Sequence, residues 1–252
     1  IIGTPPNTRV LEGEMPHPST GLPMRMYDTR SFDRVAQVQY SINELELLGA
    51  DGIVLSNHGG RQLDNAIASL DALAMKFGPE NFPELDRLRQ AADNFEFRIS
   101  PAMVDLIQSP HDPIRRQYGP TVQDLELHDG IADSLNEDED SPVPNITHRY
   151  PDRALFLVSP VCASYCRVCT RRRKVGDPEK IPMSQFESAF QYLESHTEIR
   201  DVIMSGGDPL LLNDRRLDAI LARLRSIKHI QIIRIGSRVP CHLPERITPE
   251  LC

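Results

Sequence analysis

From Ala154 to the end of the chain, short apolar runs alternate with single amphipathic stretches, and this rhythm constrains the fold more than any other feature. ALFLVSP reads as a strand, Met183 to His196 as a helix, DVIMSG as a strand, Arg216 to Ile227 as a helix and IQIIRIGS as a strand. A β-α-β-α-β series implies parallel pairing with right-handed crossovers, because a parallel neighbour cannot be reached through a tight hairpin. The expected fold class is α/β. Polar residues that follow each strand would then gather at the C-terminal edge of the sheet, where such folds place their sites.

Three cysteines follow the first of these strands, in VCASYCRVCTRRR. The spacing C-x3-C-x2-C for Cys162, Cys166 and Cys169 lets one loop wrap a corner of an iron-sulfur cubane with three thiolates, leaving the fourth iron open. Thiolates are soft anionic donors that suit iron. A structural zinc site usually takes four ligands, and the nearest further candidates, His148 and Cys241, are distant in sequence. Zinc and three unrelated buried cysteines both stay as alternatives. Five cysteines in 252 residues, two of them isolated at Cys241 and Cys252, do not resemble a disulfide framework. A reducing compartment, the cytoplasm by default, is expected.

Hydrophobic residues make up 40% and charged residues 25%, and no apolar run approaches the roughly 18 residues of a membrane helix. No membrane span is expected. The net charge of -8 argues against a general affinity for nucleic acid, which requires many cations on one face. Arg171, Arg172, Arg173 and Lys174 depart from that average directly after the cysteines, and a polyanion-binding patch is their plainest reading. The opening IIGTPPNTRV has no basic leader or long apolar core, and the missing initiator Met suggests a processed or incomplete start.

Three regions are expected: 1–77, an irregular segment plus an αβ fragment; 78–150, a helical lead-in with an acidic loop; and 151–252, the start of a barrel. In the first, about 35 residues rich in Pro, Gly and Thr precede a helical stripe of Val35, Val38, Ile42, Leu45 and Leu48, and GADGIVLSN reads as a buried strand. A helix over about Ala66 to Phe77 would bury Ile67, Leu70, Leu73 and Met75, and GPENFP ends it. Residues 84 to 108 are mostly helical in pattern, and SPHDPIRRQYGP interrupts them with Pro110, Pro113 and Pro120. Between Gln123 and Pro144 the acidic residues, including Glu137, Asp138, Glu139 and Asp140, read as a solvated loop.

The cysteine spacing after the first strand resembles the radical S-adenosylmethionine (SAM) superfamily. ITHRYPDRALFLVSPVCASYCRVCTRRRKVG, DVIMSGGDPL and IRIGSRVPCHLPERITPEL together resemble the lysine 2,3-aminomutase family with its glutamate 2,3-aminomutase relative, and DPIRRQ and EDEDSPVPN match that family's approach to the barrel. The resemblance covers about residues 84 to 252. It implies a partial, incomplete parallel β/α barrel of radical SAM type, preceded by a helical and irregular N-terminal region. The implied activity is an isomerase that moves an amino group between C2 and C3 of L-lysine, or alternatively L-glutamate. Cys162, Cys166 and Cys169 would ligate a [4Fe-4S] cluster that an electron donor reduces. Ser205, Gly206, Gly207 and Asp208 would receive the methionine part of SAM, where a strand-ending turn is the plainer alternative. Arg171 would bind the carboxylate of the small amino acid substrate. Arg149 and Arg153 match positions near the phosphate of pyridoxal phosphate, with ordinary surface charge as the alternative. A homo-oligomer is also allowed. Val168 stands where the family often has His, and Asn145 where it has Gly. The chain ends at Cys252, before the family's pyridoxal-phosphate lysine, so a truncated enzyme is expected.

A second resemblance covers about residues 36 to 77. GADGIVLSNHGGRQLD, residues 49–64, is similar to the catalytic segment of FMN-dependent 2-hydroxy acid dehydrogenases and oxidases. It implies His58 as a catalytic base, Arg61 as a carboxylate partner and FMN as cofactor. A strand ending in a Gly-Gly turn is the plainer alternative. No later glycine-rich phosphate loop follows, so a flavin-enzyme fragment or an inactive hybrid reading frame remain the alternatives to the aminomutase.

Overall fold

The computed structural model describes residues 10–16, 23–27, 66–93, 97–126, 130–177, 181 and 185–252. The helix and strand expected between residues 34 and 57, together with His58 and Arg61, lie outside the described residues. Near the start, β1 (Val10–Pro16) pairs antiparallel with β2 (Pro23–Tyr27).

The lead-in contains α1 (Leu70–Phe77), α2 (Leu85–Ala92), α3 (Pro101–Leu106) and α4 (Pro113–Tyr118). The first begins later than expected. Ser69 caps it by accepting the Ala72 N–H, and Ile67 instead forms an antiparallel bridge with Ile99. Leu70, Leu73 and Ala74 face inward while Met75 is 80% exposed, so Met75 is not part of the buried stripe. The proline-rich interruption itself contains α4. Pro113 sits in the first turn, where a missing N–H costs nothing, and Asp112 accepts the Ile114 N–H. One core of Leu73, Phe82, Leu88, Ile99, Val104 and Tyr118 runs across residue 78 without a break.

The main sheet has the order β3 (Ile146–Tyr150), β4 (Arg153–Ser159), β5 (Asp201–Gly206), β6 (Ile232–Ile235). β4, β5 and β6 are parallel, and β3 adds an antiparallel edge that periodicity alone did not announce. α5 (Phe186–Ser195) and α6 (Asp214–Ser226) make the crossovers. Among the described residues the sheet is unclosed, a mixed α/β architecture consistent with a partial barrel.

Side chains alternate between the faces of each strand. Ala154, Phe156, Val158, Val202 and Met204 pack with Phe190, Leu193, Leu217, Ile220 and Leu224 from the two crossover helices. The opposite face carries Arg153 beside Asp201, then Leu155 beside Ile203 and Arg234, by register. Asp201 is fully buried and accepts from Arg153 Nε at 2.8 Å and Arg234 Nη2 at 3.0 Å. Burial opposes its ionisation, but the hydrogen bonds from Arg234 and Arg153 outweigh burial and hold the carboxyl below its usual range.

Candidate functional site

β4 ends at Ser159, so the cysteine loop emerges at the C-terminal edge of the parallel sheet. Cys162, Cys166 and Cys169 are free and half-buried. Burial pushes the Cys162 thiol up, and Asp208, Cys169 and Cys166 push it further, against Arg238. Burial likewise raises Cys166, with Arg238 opposing it through a hydrogen bond from Nη1 to Sγ at 2.9 Å. The three thiols therefore share one electrostatic environment. Thiols such as Cys162 and Cys166, raised by burial, become thiolates when a cationic centre compensates them, a compensation that an iron-sulfur cluster would supply. Among the described residues no three His, Cys, Asp or Glu side chains converge on a single-ion site. His148 is hydrogen-bonded to Tyr192 at 2.8 Å, and Cys241 is exposed.

The lead-in holds this loop in shape. Tyr165 N–H donates to Arg98 O at 3.0 Å, Arg167 N–H to Gln117 O at 2.8 Å, and Ser100 N–H to Ser164 Oγ at 2.9 Å. The Arg167 guanidinium is fixed by Asp124 at 2.8 Å. These bonds satisfy backbone groups that a loop crowded against a sheet edge would otherwise bury unpaired.

The end of β5 closes on the start of the cysteine loop through Gly206 and the Gly207 that follows it. Gly206 has φ +110°, and a Cβ there would meet Ser159 O at 2.5 Å; a Cβ on Gly207 would meet Val161 O at 2.2 Å. Only glycine allows this approach. Asp208, also buried, accepts from Leu210 N–H at 3.1 Å and Ser237 Oγ at 2.7 Å on one oxygen, and from Arg238 N–H at 2.7 Å and Val239 N–H at 3.1 Å on the other. Its lone pairs are thereby occupied in tying β5 to the segment after β6. That tie aims Arg238 at Cys166, a role no single motif in the sequence displayed, although RIGSRV follows a strand at the same edge.

Arg149, Arg153 and Arg171 line one cavity of about 230 Å³, walled by Leu155 and Ile203. Each has a carboxylate partner: Arg149 Nε with Asp140 at 2.7 Å, Arg153 with Asp201, and Arg171 with Glu137 through Nη2 at 2.6 Å and Nε at 3.1 Å. The acidic run is therefore only partly the solvated loop expected: Asp138 and Glu139 stay exposed, but their neighbours are paired. It folds back on the basic run, with Glu137 only 5% exposed, Arg173 on Asp133 at 2.6 Å and Lys174 on Asp138 at 2.7 Å. Burial opposes ionisation of Asp133, but the N–H groups of Asp138 and Glu137 and the Arg173 guanidinium take its pKa down to about 2. This pairing neutralises Arg171, Arg173 and Lys174, three of the four cations of the expected polyanion patch.

Residues 156–249 match the family model described as the radical SAM superfamily, and residues 41–78 match FMN-dependent dehydrogenase. The chain is similar to L-lysine 2,3-aminomutase of Fusobacterium nucleatum, 44% identical over 195 residues, covering 76% of this chain and 46% of that protein. L-lysine 2,3-aminomutase of Methanococcus maripaludis is 46% identical, covering 75% of this chain and 45% of its own. Glutamate 2,3-aminomutase of Clostridioides difficile is 36% identical, with 76% and 46% covered. The chain spans about half the length of the curated relatives it matches.

Proposed function

We propose, from the match of residues 156–249 to the radical SAM superfamily model, that the chain supplies the radical-generating part of a pyridoxal-phosphate-dependent 2,3-aminomutase, with L-lysine favoured and L-glutamate the runner-up. The carrying observation is the three free thiols on the loop that leaves β4, whose first residues Gly206 and Gly207 approach closely. Cys162, Cys166 and Cys169 hold the [4Fe-4S] cluster, and the Ser205 to Asp208 edge takes the methionine part of SAM through backbone groups, since Asp208 is already engaged. When bound, the cluster and SAM supply an electron and a 5'-deoxyadenosyl radical, and pyridoxal phosphate carries the migrating nitrogen.

The chain's own residues position and shield. Arg149 and Arg153 hold the cofactor phosphate, and Arg171 holds the substrate carboxylate with the N–H donors that Glu137 leaves over. Leu155 and Ile203 keep water from the same cavity. An external one-electron donor reduces the cluster, in a reducing compartment such as the cytoplasm. Among the described residues no helix is long and apolar enough to cross a membrane.

Anaerobically reconstituted protein given SAM and dithionite should release 5'-deoxyadenosine, and lysine with pyridoxal phosphate should increase the yield more than glutamate does. A loaded cluster that releases none refutes the reading. The match at residues 41–78 favours a second reading, a flavin-binding fragment. Flavin absorbance that lactate or glycolate bleaches would support it, and colourless protein would dismiss it.

A further inference from the structure

Away from the cysteine edge, a second cavity of about 290 Å³ opens in the helical lead-in, between the start of α2 and the turn around α4. Arg115, Arg116 and His111 line it together with the apolar surfaces of Phe82, Leu88 and Val122. Arg115 is only 7% exposed. Its guanidinium lies over the Phe82 ring at 5.4 Å, and its buried Nε has no hydrogen-bond partner.

No ion pair of Arg115, Arg116 or His111 occurs among the described residues, in contrast to Arg149, Arg153 and Arg171 in the first cavity. Arg167, which acts electrostatically on Arg115, is paired with Asp124 at 2.8 Å. Glu84 at the rim is taken by Arg87 at 2.6 Å. Burial, reinforced by Arg167 and Arg116, pulls the Arg115 guanidinium below its ordinary range, and Asp124 offsets this only in part. Guanidinium nonetheless keeps its proton in proteins. A buried cation without a counter-ion is costly, and the Phe82 ring compensates only a fraction of a full charge.

We propose that this cavity binds a small phosphate-class oxyanion, with the buried Arg115 as its central partner, Arg116 and His111 at the mouth and the Phe82 side accepting a few carbon atoms of the same ligand. A carboxylate and a phosphate can each engage one guanidinium fork, but phosphate carries more charge and more acceptor oxygens, enough to meet Arg115, Arg116 and His111 together. The space exceeds that of inorganic phosphate alone, so a phosphate monoester of a small molecule is the natural occupant. The site is separate from the aminomutase reading and stands or falls independently of it.

The test is hydrogen-deuterium exchange of the full chain titrated with inorganic phosphate at constant ionic strength, with acetate as the carboxylate arm. Phosphate should slow exchange across residues 108–124 saturably, acetate should not, and Arg116→Glu should weaken the effect at least tenfold. Arg115→Met should abolish it; if that variant fails to fold, the exposed Arg116→Glu decides alone. Absence of protection at 108–124, equal protection by acetate, equal protection in Arg116→Glu, or protection confined to residues 135–155 overturns the proposal.

Discussion

Glu137→Gln removes the charge that faces Arg171 while keeping the shape of the side chain. At an effective dielectric of about 20, two unit charges about 4 Å apart attract by about 4 kcal/mol. Arg171 keeps 21% side-chain exposure and Glu137 6%, so solvent screening and the desolvation of the carboxylate reduce that figure. A coupling of roughly 1.5–3 kcal/mol remains, between the values for exposed and for fully buried pairs. A double-mutant cycle of Glu137→Gln, Arg171→Gln and their combination, followed by urea unfolding with unchanged m, measures it directly. Glu137→Gln alone should lose more than the double variant relative to Arg171→Gln, because it strands a half-buried guanidinium. Coupling below about 0.5 kcal/mol, the value of an exposed surface pair, would refute the claim that the acidic run is a built partner of the basic one.

Three further outcomes follow from the site. Gly207→Ala should prevent cluster loading, since its Cβ would lie 2.2 Å from Val161 O, whereas Gly236→Ala should load normally because nothing lies nearer than 3.5 Å; iron content of the purified variants decides. His242, buried and bonded to Tyr118 at 2.8 Å, has its pKa lowered to about 4 by burial and by Arg238. Its unfolded value is about 6.5, so below that pH the unfolded chain binds a proton that the folded one refuses. Stability should fall as pH drops from about 6.5 to about 4, by up to roughly 3 kcal/mol, and His242→Gln should flatten the Tm profile in that window; an unchanged slope would refute the assignment. Arg238→Gln removes a cationic donor from Cys166, so a bound cluster should become harder to reduce, seen as a more negative midpoint in an EPR-monitored titration.

The parallel strands and the cysteine loop were legible because their signals are local: apolar runs of strand length and a fixed spacing on one turn. What escaped depends on pairing between distant segments. Glu137 and its neighbours read as a solvated charge run because their partners, Arg171, Arg173 and Lys174, stand more than 30 positions later, and alternation within either segment carries no trace of the other. ITHRY became an edge strand through its pairing with β4, and Ile67 left the expected helix to bridge Ile99. Met75 followed the helical spacing but faced solvent, because the core approaches α1 from the side of Leu70, Leu73 and Ala74. The stretch with Pro110, Pro113 and Pro120 read as an interruption, yet Pro113 occupies the first turn of α4 and Asp112 caps it. The glycines of SGGD are required by the approach of Ser159 and Val161, a reason that is steric and nonlocal.

Whether Cys162, Cys166 and Cys169 hold one cluster is tested most directly by iron-sulfur reconstitution with EPR. Anaerobic loading followed by reduction should give a [4Fe-4S] signal from the unaltered chain, and Cys166→Ala should lose it while Cys241→Ala, an exposed thiol, keeps it. No signal in the unaltered chain, or an unchanged one in Cys166→Ala, would contradict the account.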